Sequence, residues 1–216
     1  PKRVISLEFE PGGRWLASSG FDDGQVWLWP LEGESPAPGR LLFEPDGPET
    51  GLATSPDGER LLVGHWTLGV RLISLADAVP RILPGYLGEA GGVAFSPGGR
   101  LAAGLCDVLR AGGPFIRAWD TVTEEELMVL DPEDRLHGWD LQFTSNGDLL
   151  AGSSSGMLRF DRATGENEHL YQGIIWKFAA TDDGRRLLMV EMDDESDLWG
   201  RAVFFDLDSG MATRLD

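Results

Sequence analysis

Apolar positions along this chain come in short runs cut apart by glycine-bearing turns. Five runs at residues 4–9, 51–54, 92–95, 139–143 and 174–180 each lead into a tight turn, and five more follow at 15–18, 61–63, 101–105, 149–152 and 187–190. The turns read Pro11-Gly12-Gly13, Pro56-Asp57-Gly58, Pro97-Gly98-Gly99, Ser145-Asn146-Gly147 and Asp182-Asp183-Gly184. Asn-Gly and Asp-Gly supply the positive φ that a tight hairpin requires, and Gly-Gly does the same. The runs are too short for helices and are bounded by glycine on both sides, so they are predicted to be strands.

A third run follows each hairpin, at 26–29, 70–73, 116–119, 158–160 and 203–205, and each ends on a large apolar residue. A fourth, weaker run completes each unit, at 40–43, 81–83, 126–130, 168–171 and 211–215. The last turn glycines recur at intervals of roughly 43 residues, the spacing of propeller blades. Four strands per unit, repeated five times, predict an all-β chain: a β-propeller of five four-stranded antiparallel blades, spanning approximately residues 1–44, 45–85, 86–131, 132–172 and 173–216. Such a set is either a closed five-bladed ring or five blades of a larger propeller.

The stretch LASSGFDDGQVWLW at 16–29 resembles the second half of a WD repeat, as does VAFSPGGRLAAG at 93–104 with Trp119-Asp120 ending its third strand. The resemblance to the WD-repeat family runs through nearly the whole chain, with departures. The Trp-Asp pair survives only at Trp119-Asp120; its equivalents are Trp29-Pro30, Ile73-Ser74, Phe160-Asp161 and Phe205-Asp206. The family's Gly-His pair before each first strand is missing, so its His-Ser-Asp-Trp hydrogen-bond network is not expected in full. Blade 1 keeps Ser18 or Ser19, Asp23 and Trp29. In the family a spare N-terminal strand usually closes the ring. No such strand is visible here and the chain does not begin with Met, so five blades of a longer array is the preferred expectation. An open array would expose apolar faces at both ends.

The resemblance also implies where partners bind, on the rim face shared by the loops from strand d to strand a and from b to c. That topology collects Phe21, Trp66, Arg110 and Trp199 from the b–c side and Tyr86, His137, Trp139 and Trp176 from the d–a side; these eight are the candidate partner-binding residues. Trp, Tyr and Arg are enriched in binding hot spots, and loops on a rigid scaffold commonly carry function. His65 and several aspartates fall on the same face. Trp139 and Trp176 occupy matching positions, and packing between blades is an equal reading for them. Trp29 and Trp119 are read as core. Two b–c hairpins look longer than the rest, at 106–114 and 191–201, and the second carries MDDESDLWG. Its carboxylates lack the spacing of a calcium loop, and a solvated acidic loop is the better reading.

Charge sharpens the choice of partner. The 216 residues hold 36 acidic and 18 basic side chains, a formal net charge of -18, with no basic run. Such a surface repels phosphate backbones and anionic membranes, so neither nucleic acid nor membrane is an expected partner; a protein or peptide is, and a basic one would complement the acidic loops. No apolar run reaches the roughly 18 residues of a membrane-spanning helix, and the basic pair near the start lacks a following signal-type segment. The single cysteine, Cys106, reads as a small buried residue; it fits a reducing, cytoplasmic setting and permits no internal disulfide.

Catalytic signals are few. The string GSSSG at 152–156 has the form of a nucleophile elbow, but it lies between two strands, where an elbow needs a strand-to-helix turn. The three histidines, His65, His137 and His169, lack metal-ligand spacing. No cofactor and no metal are expected. The preferred reading is a non-catalytic scaffold for a protein or peptide. The alternatives are a propeller hydrolase or lyase with a site in the central channel, using carboxylates such as Asp107 or Asp140 together with His137, and structural blades of a larger signalling protein.

Overall fold

Each predicted hairpin turn forms where glycine permits it. Gly13, Gly58, Gly99, Gly147 and Gly184 adopt φ of 71, 70, 68, 90 and 68°, the left-handed region that side-chain-bearing residues disfavour. Each of these glycines donates its N–H back across the turn, to the carbonyls of Glu10, Ser55, Ser96, Thr144 and Thr181 at 2.7 to 2.9 Å. The side chains of those same residues brace the turn a second time. Ser55 Oγ accepts from Arg60 N at 2.9 Å, Ser96 Oγ from Leu101 N at 3.0 Å and Thr181 Oγ1 from Arg186 N at 3.2 Å. Blade 1 uses Glu10 instead, whose carboxylate takes Arg14 N at 2.9 Å and the Arg14 guanidinium at 2.7 Å.

The structure, a computed structural model, describes residues 3–20, 22–32, 37–44, 47, 49–67, 69–85, 89–108, 113–130, 138–181, 183–193 and 200–215. Among these described residues are twenty strands. Blade 1 holds β1 (Val4–Phe9), β2 (Trp15–Gly20), β3 (Val26–Pro30) and β4 (Arg40–Phe43). Blade 2 holds β5 (Glu49–Thr54), β6 (Arg60–His65), β7 (Gly69–Ser74) and β8 (Pro80–Ile82), and blade 3 holds β9 (Glu89–Phe95), β10 (Leu101–Val108), β11 (Gly113–Asp120) and β12 (Glu126–Leu130). Blade 4 holds β13 (Gly138–Phe143), β14 (Leu149–Ser153), β15 (Gly156–Phe160) and β16 (Asn167–Gln172), and blade 5 holds β17 (Ile174–Ala180), β18 (Arg186–Met192), β19 (Gly200–Asp206) and β20 (Met211–Leu215). Every blade is an antiparallel sheet with its strands in chain order. The two b–c hairpins expected to be long are mostly strand: β10 and β11 pair out to Val108 and Gly113, and β18 and β19 out to Met192 and Gly200.

The second half of each blade is closed by an aspartate where the sequence provides one. Asp120 Oδ1 accepts from Val122 N at 2.8 Å and Thr123 N at 3.0 Å. Asp161 Oδ1 accepts from Ala163 N and Thr164 N, both at 2.8 Å, and Asp206 Oδ1 from Ser209 N at 3.0 Å. This capping explains why the aspartate of the Trp-Asp pair persists in blades 4 and 5 while phenylalanine replaces its tryptophan. The turn needs the carboxylate, whereas the preceding position needs only apolar bulk.

The core lies between blades. Four apolar clusters fill the junctions of blades 1–2, 2–3, 3–4 and 4–5. At each junction the inner strand of one blade packs on the first two strands of the blade before it. No comparable packing joins β17 or β18 to β1 among the described residues. Trp119, read as core, is fully buried and donates its Nε1–H to Pro84 O of the preceding blade at 2.9 Å. Trp29 occupies the same blade position but is only half-buried, which corrects the reading of it as core. Among the described residues no blade packs on this face of blade 1; Trp29 stacks on Trp27 with ring centroids 5.7 Å apart and donates to Ser18 Oγ at 2.8 Å. Cys106 is buried in the junction of blades 2 and 3, and burial pushes its thiol up to about 12.

Candidate interaction face

The inner strands share a device near their start. Pairing of strand a with strand b skips one residue, a β-bulge, at Ile5, Thr50, Trp139 and Trp176, and blade 3 shifts at Gly91-Gly92. A bulge leaves its extra residue unpaired and turns the strand, which re-aims that side chain. Trp139 and Trp176 are therefore equivalent residues, as their matching positions in sequence imply. Trp176 is 43 % exposed and Ile5 40 %, while Trp139 is half-buried. Trp66 follows β6 in the b–c hairpin of blade 2 and is 40 % exposed. Phe21, Tyr86, Arg110, His137 and Trp199, the other candidates, lie outside the described residues.

Two residues read from sequence as b–c loop residues belong to the frame instead. His65 ends β6 fully buried, its Nδ1 accepting from Thr67 N at 3.1 Å. Glu191, the first carboxylate of the acidic loop, is buried: its Oε1 accepts from Tyr171 Oη at 2.8 Å, and Arg214 lies 3.1 Å from its Oε2. Asp193 pairs with Arg201 at 2.7 Å; residues 194–199 lie outside the description.

Beneath the bulges, side chains tie neighbouring inner strands across the channel edge, a feature that sequence reasoning missed. Asp140 Oδ2 accepts from Phe178 N at 3.2 Å and its Oδ1 lies 3.4 Å from Lys177 Nζ. Gln142 accepts from Ala180 N at 3.0 Å and donates to Ala180 O at 3.2 Å. Glu8, at the blade 1 position equivalent to Gln142, accepts a backbone N–H from Thr54. Strand a of a blade has one edge without a ladder partner, and these side chains satisfy its exposed N–H groups. Burial pushes the carboxyls of Glu8 and Asp140 up, with Lys177 pulling each back. Asp140 was the channel carboxylate of the hydrolase alternative; it is engaged in joining two blades. The side chain of Asp107 and all of His137 lie outside the description. No group of three or more His, Cys, Asp or Glu is arranged to hold a metal among the described residues, and GSSSG forms the β14–β15 hairpin, with Ser153 Oγ donating to Gly156 O at 2.9 Å.

The opposite face carries a cleft of about 710 Å³ between blades 1 and 2, lined by Arg14, Trp15, Pro30, Arg40 and Arg60 among others. No local pattern along the chain signals it, because its walls come from separate turns. Two of its guanidinium groups are already engaged: Arg14 with Glu10, and Arg60 with Thr121 Oγ1 at 2.7 Å and Gly99 O at 3.2 Å.

Five four-stranded sheets, packed face to face around an inner row of first strands, define a β-propeller. The model of the family described as "WD domain, G-beta repeat" matches residues 1–30. Among solved structures the chain is similar to the β-propeller domain of Cps50 (Swd1) from Myceliophteria thermophila, at 24 % identity and a TM-score of 0.73, covering 95 % of this chain and 65 % of that one. It is also similar to Kuenenia stuttgartiensis hydrazine synthase, at 16 % identity and a TM-score of 0.75, covering 100 % of this chain and 67 % of that one. The chain thus spans about two thirds of the length of the solved chains it matches. No curated protein matches it in sequence. The chain is a β-propeller by fold, and its first 30 residues match the WD-repeat model.

Proposed function

We propose that this propeller is a non-catalytic scaffold that binds a protein or peptide on the face where its d–a and b–c loops meet. The observation that carries the reading is the pair of bulge tryptophans. Trp139 and Trp176 stand at one equivalent position on adjacent blades, and Trp176 keeps 43 % of its surface exposed in a strand otherwise built into the sheet. Large aromatic side chains held on a rigid frame lose little conformational entropy when a partner covers them. Trp66 adds a third indole from blade 2. The formal charge of -18 favours a basic partner, through faster encounter and through repulsion of acidic competitors.

The test is an array of basic, neutral and acidic peptides presented to the purified chain and to a Trp66→Ala/Trp176→Ala double variant. The expected result is capture of basic peptides by the parent chain and at least roughly tenfold weaker capture by the variant, at an unchanged melting temperature. Equal capture by both chains refutes the assignment of this face.

A further inference from the structure

The fourth strand of each blade is its outer edge, paired to the third strand on one side and, among the described residues, to no strand on the other. Proteins guard such edges with charge, proline or brevity, because a free row of N–H and C=O groups invites another strand. Four of the five outer strands follow that rule. β8 is three residues long and opens on Pro80, β16 carries Glu168 and His169, and β20 carries Arg214. β4 opens on Arg40 and buries Leu42. β12 departs from it. After Glu126, which pairs with Arg117 on β11, it runs Leu127, Met128, Val129 and Leu130 without a charge. The first three of these are 55, 39 and 44 % exposed.

The ladder shows which backbone groups face outward. Asp120 N donates to Glu125 O at 3.0 Å across the β11–β12 turn. Bonding residues alternate along an antiparallel strand, so Ala118 and Ile116 bond next, to their partners Met128 and Leu130. Val129, between those partners, therefore turns its N–H and C=O away from β11 to the free edge. Charge at the ends of the edge selects what fits there. Glu124, Glu125 and Glu126 precede the apolar run, and in sequence Asp131, Glu133 and Asp134 follow it. Arg81 lies 3.6 Å from Glu124, and Arg117 beside Glu126; Glu125 has no ion partner among the described residues. A second copy paired along β12, in either direction, sets acid against acid, and like charges opposite one another destabilise a sheet. We propose that the outer edge of β12 accepts an extended segment of a partner protein, apolar at alternate positions and with lysine or arginine at its ends, which joins blade 3 as an added strand. Main-chain hydrogen bonds hold it, the exposed apolar side chains cover it, and the acidic ends fix which segments qualify. This edge is separate from the face of Trp139 and Trp176, and the proposal does not depend on that face.

Hydrogen exchange of single amides, read by NMR on the 216-residue chain, tests this. In the free monomer the Val129 N–H is expected to exchange at least roughly tenfold faster than the Met128 N–H. The probe is a synthetic peptide of alternating valine and threonine with two lysines at each end. It is expected to slow Val129 exchange at least roughly tenfold. The same peptide with every backbone nitrogen methylated is expected not to bind, and one with glutamates replacing the lysines to bind at least roughly tenfold more weakly. Val129→Pro removes only an outward-facing donor, which an edge strand tolerates, and is expected to abolish binding. The Trp66→Ala/Trp176→Ala chain is expected to bind the peptide as the parent does. Binding kept by Val129→Pro and lost in the tryptophan variant puts the peptide on the tryptophan face and overturns the proposal. Binding of the methylated peptide, or equal binding of the glutamate peptide, overturns it as well. Slow Val129 exchange in the free monomer means that the chain covers its own edge, and slowing that appears only with self-association makes a second copy the occupant; either result overturns it.

Discussion

Leu62 and Leu188 hold the same position in their blades, one at 0 % exposure and the other at 47 %, so truncating each to alanine separates burial from sequence context. Leu62 lies in the junction of blades 2 and 3 among Ala53, Leu72 and Trp119. Removing its isobutyl group loses the transfer free energy of a buried leucine and leaves a void walled by close-packed neighbours, together about 2–5 kcal/mol. Leu188 retains about half of its surface in water and has open solvent on one side. Only part of the roughly 1.5–3 kcal/mol of full burial is at stake there, with no enclosed cavity, so the expected cost is about 1 kcal/mol or less. Urea unfolding of the 216-residue chain followed by tryptophan fluorescence measures both. At unchanged m-value, the midpoint of Leu62→Ala is expected to fall at least twice as far as that of Leu188→Ala. Equal losses would show that Leu188 is covered in the isolated chain, and would refute the account of an unpartnered face.

Two pH effects follow from the carboxylates that brace the blades. Backbone N–H groups of Thr123 and Val122, with Arg100, hold the Asp120 carboxyl at about 2. Its contribution is therefore present above the ordinary carboxylate value and lost as pH falls toward 2; Asp120→Asn, measured by urea midpoint, should weaken the chain at pH 7 and lose less than the parent between pH 4 and 2. Glu8 is shifted the other way, chiefly by burial, so its neutral form is favoured in the folded state and its contribution declines as pH rises through the raised value. Glu8→Gln keeps an acceptor for the Thr54 N–H and copies the residue that blade 4 already has at this position, Gln142. Its urea midpoint is expected to exceed that of the parent at pH 8 and to approach it at pH 4; a lower midpoint at pH 8 would mean that the ionised carboxylate is worth more there than its burial costs.

The parts of the fold that were legible are those encoded locally. A turn glycine with positive φ announces itself beside Pro, Asn or Asp, and Gly13, Gly58, Gly99, Gly147 and Gly184 all take that conformation. Strand runs between such turns follow from the alternation of apolar residues, so the five four-stranded units emerge from the chain itself. Burial across a junction is not local. Trp29 and Trp119 look alike in sequence, and what separates a half-buried from a fully buried indole is the blade before each. The roles of Asp140 and Glu191 were hidden for the same reason. A carboxylate in sequence reads as exposed or catalytic, and only the approach of Phe178 and Lys177, or of Tyr171 and Arg214, shows it to be a tie. The matching positions of Trp139 and Trp176 were visible, but the bulge that re-aims them arises from pairing with β14 and β18.

That bulge and those ties act together. Asp140 directly follows Trp139, and Lys177 and Phe178 directly follow Trp176. The hydrogen bond from Phe178 N to Asp140, reinforced by the Lys177 ammonium, therefore clamps β13 to β17 immediately beneath the two indoles. The paired bonds of Gln142 with Ala180 repeat the clamp two residues further along the same strands. A partner meeting Trp139 and Trp176 encounters side chains whose backbones are already fixed relative to one another, so little ordering cost remains to be met on binding. Breaking the clamp leaves both tryptophans in place and loosens only their spacing. Asp140→Ala is then expected to weaken capture of a basic peptide chiefly through faster dissociation, while a role for Asp140 confined to surface charge would appear in the association rate and vanish at high salt.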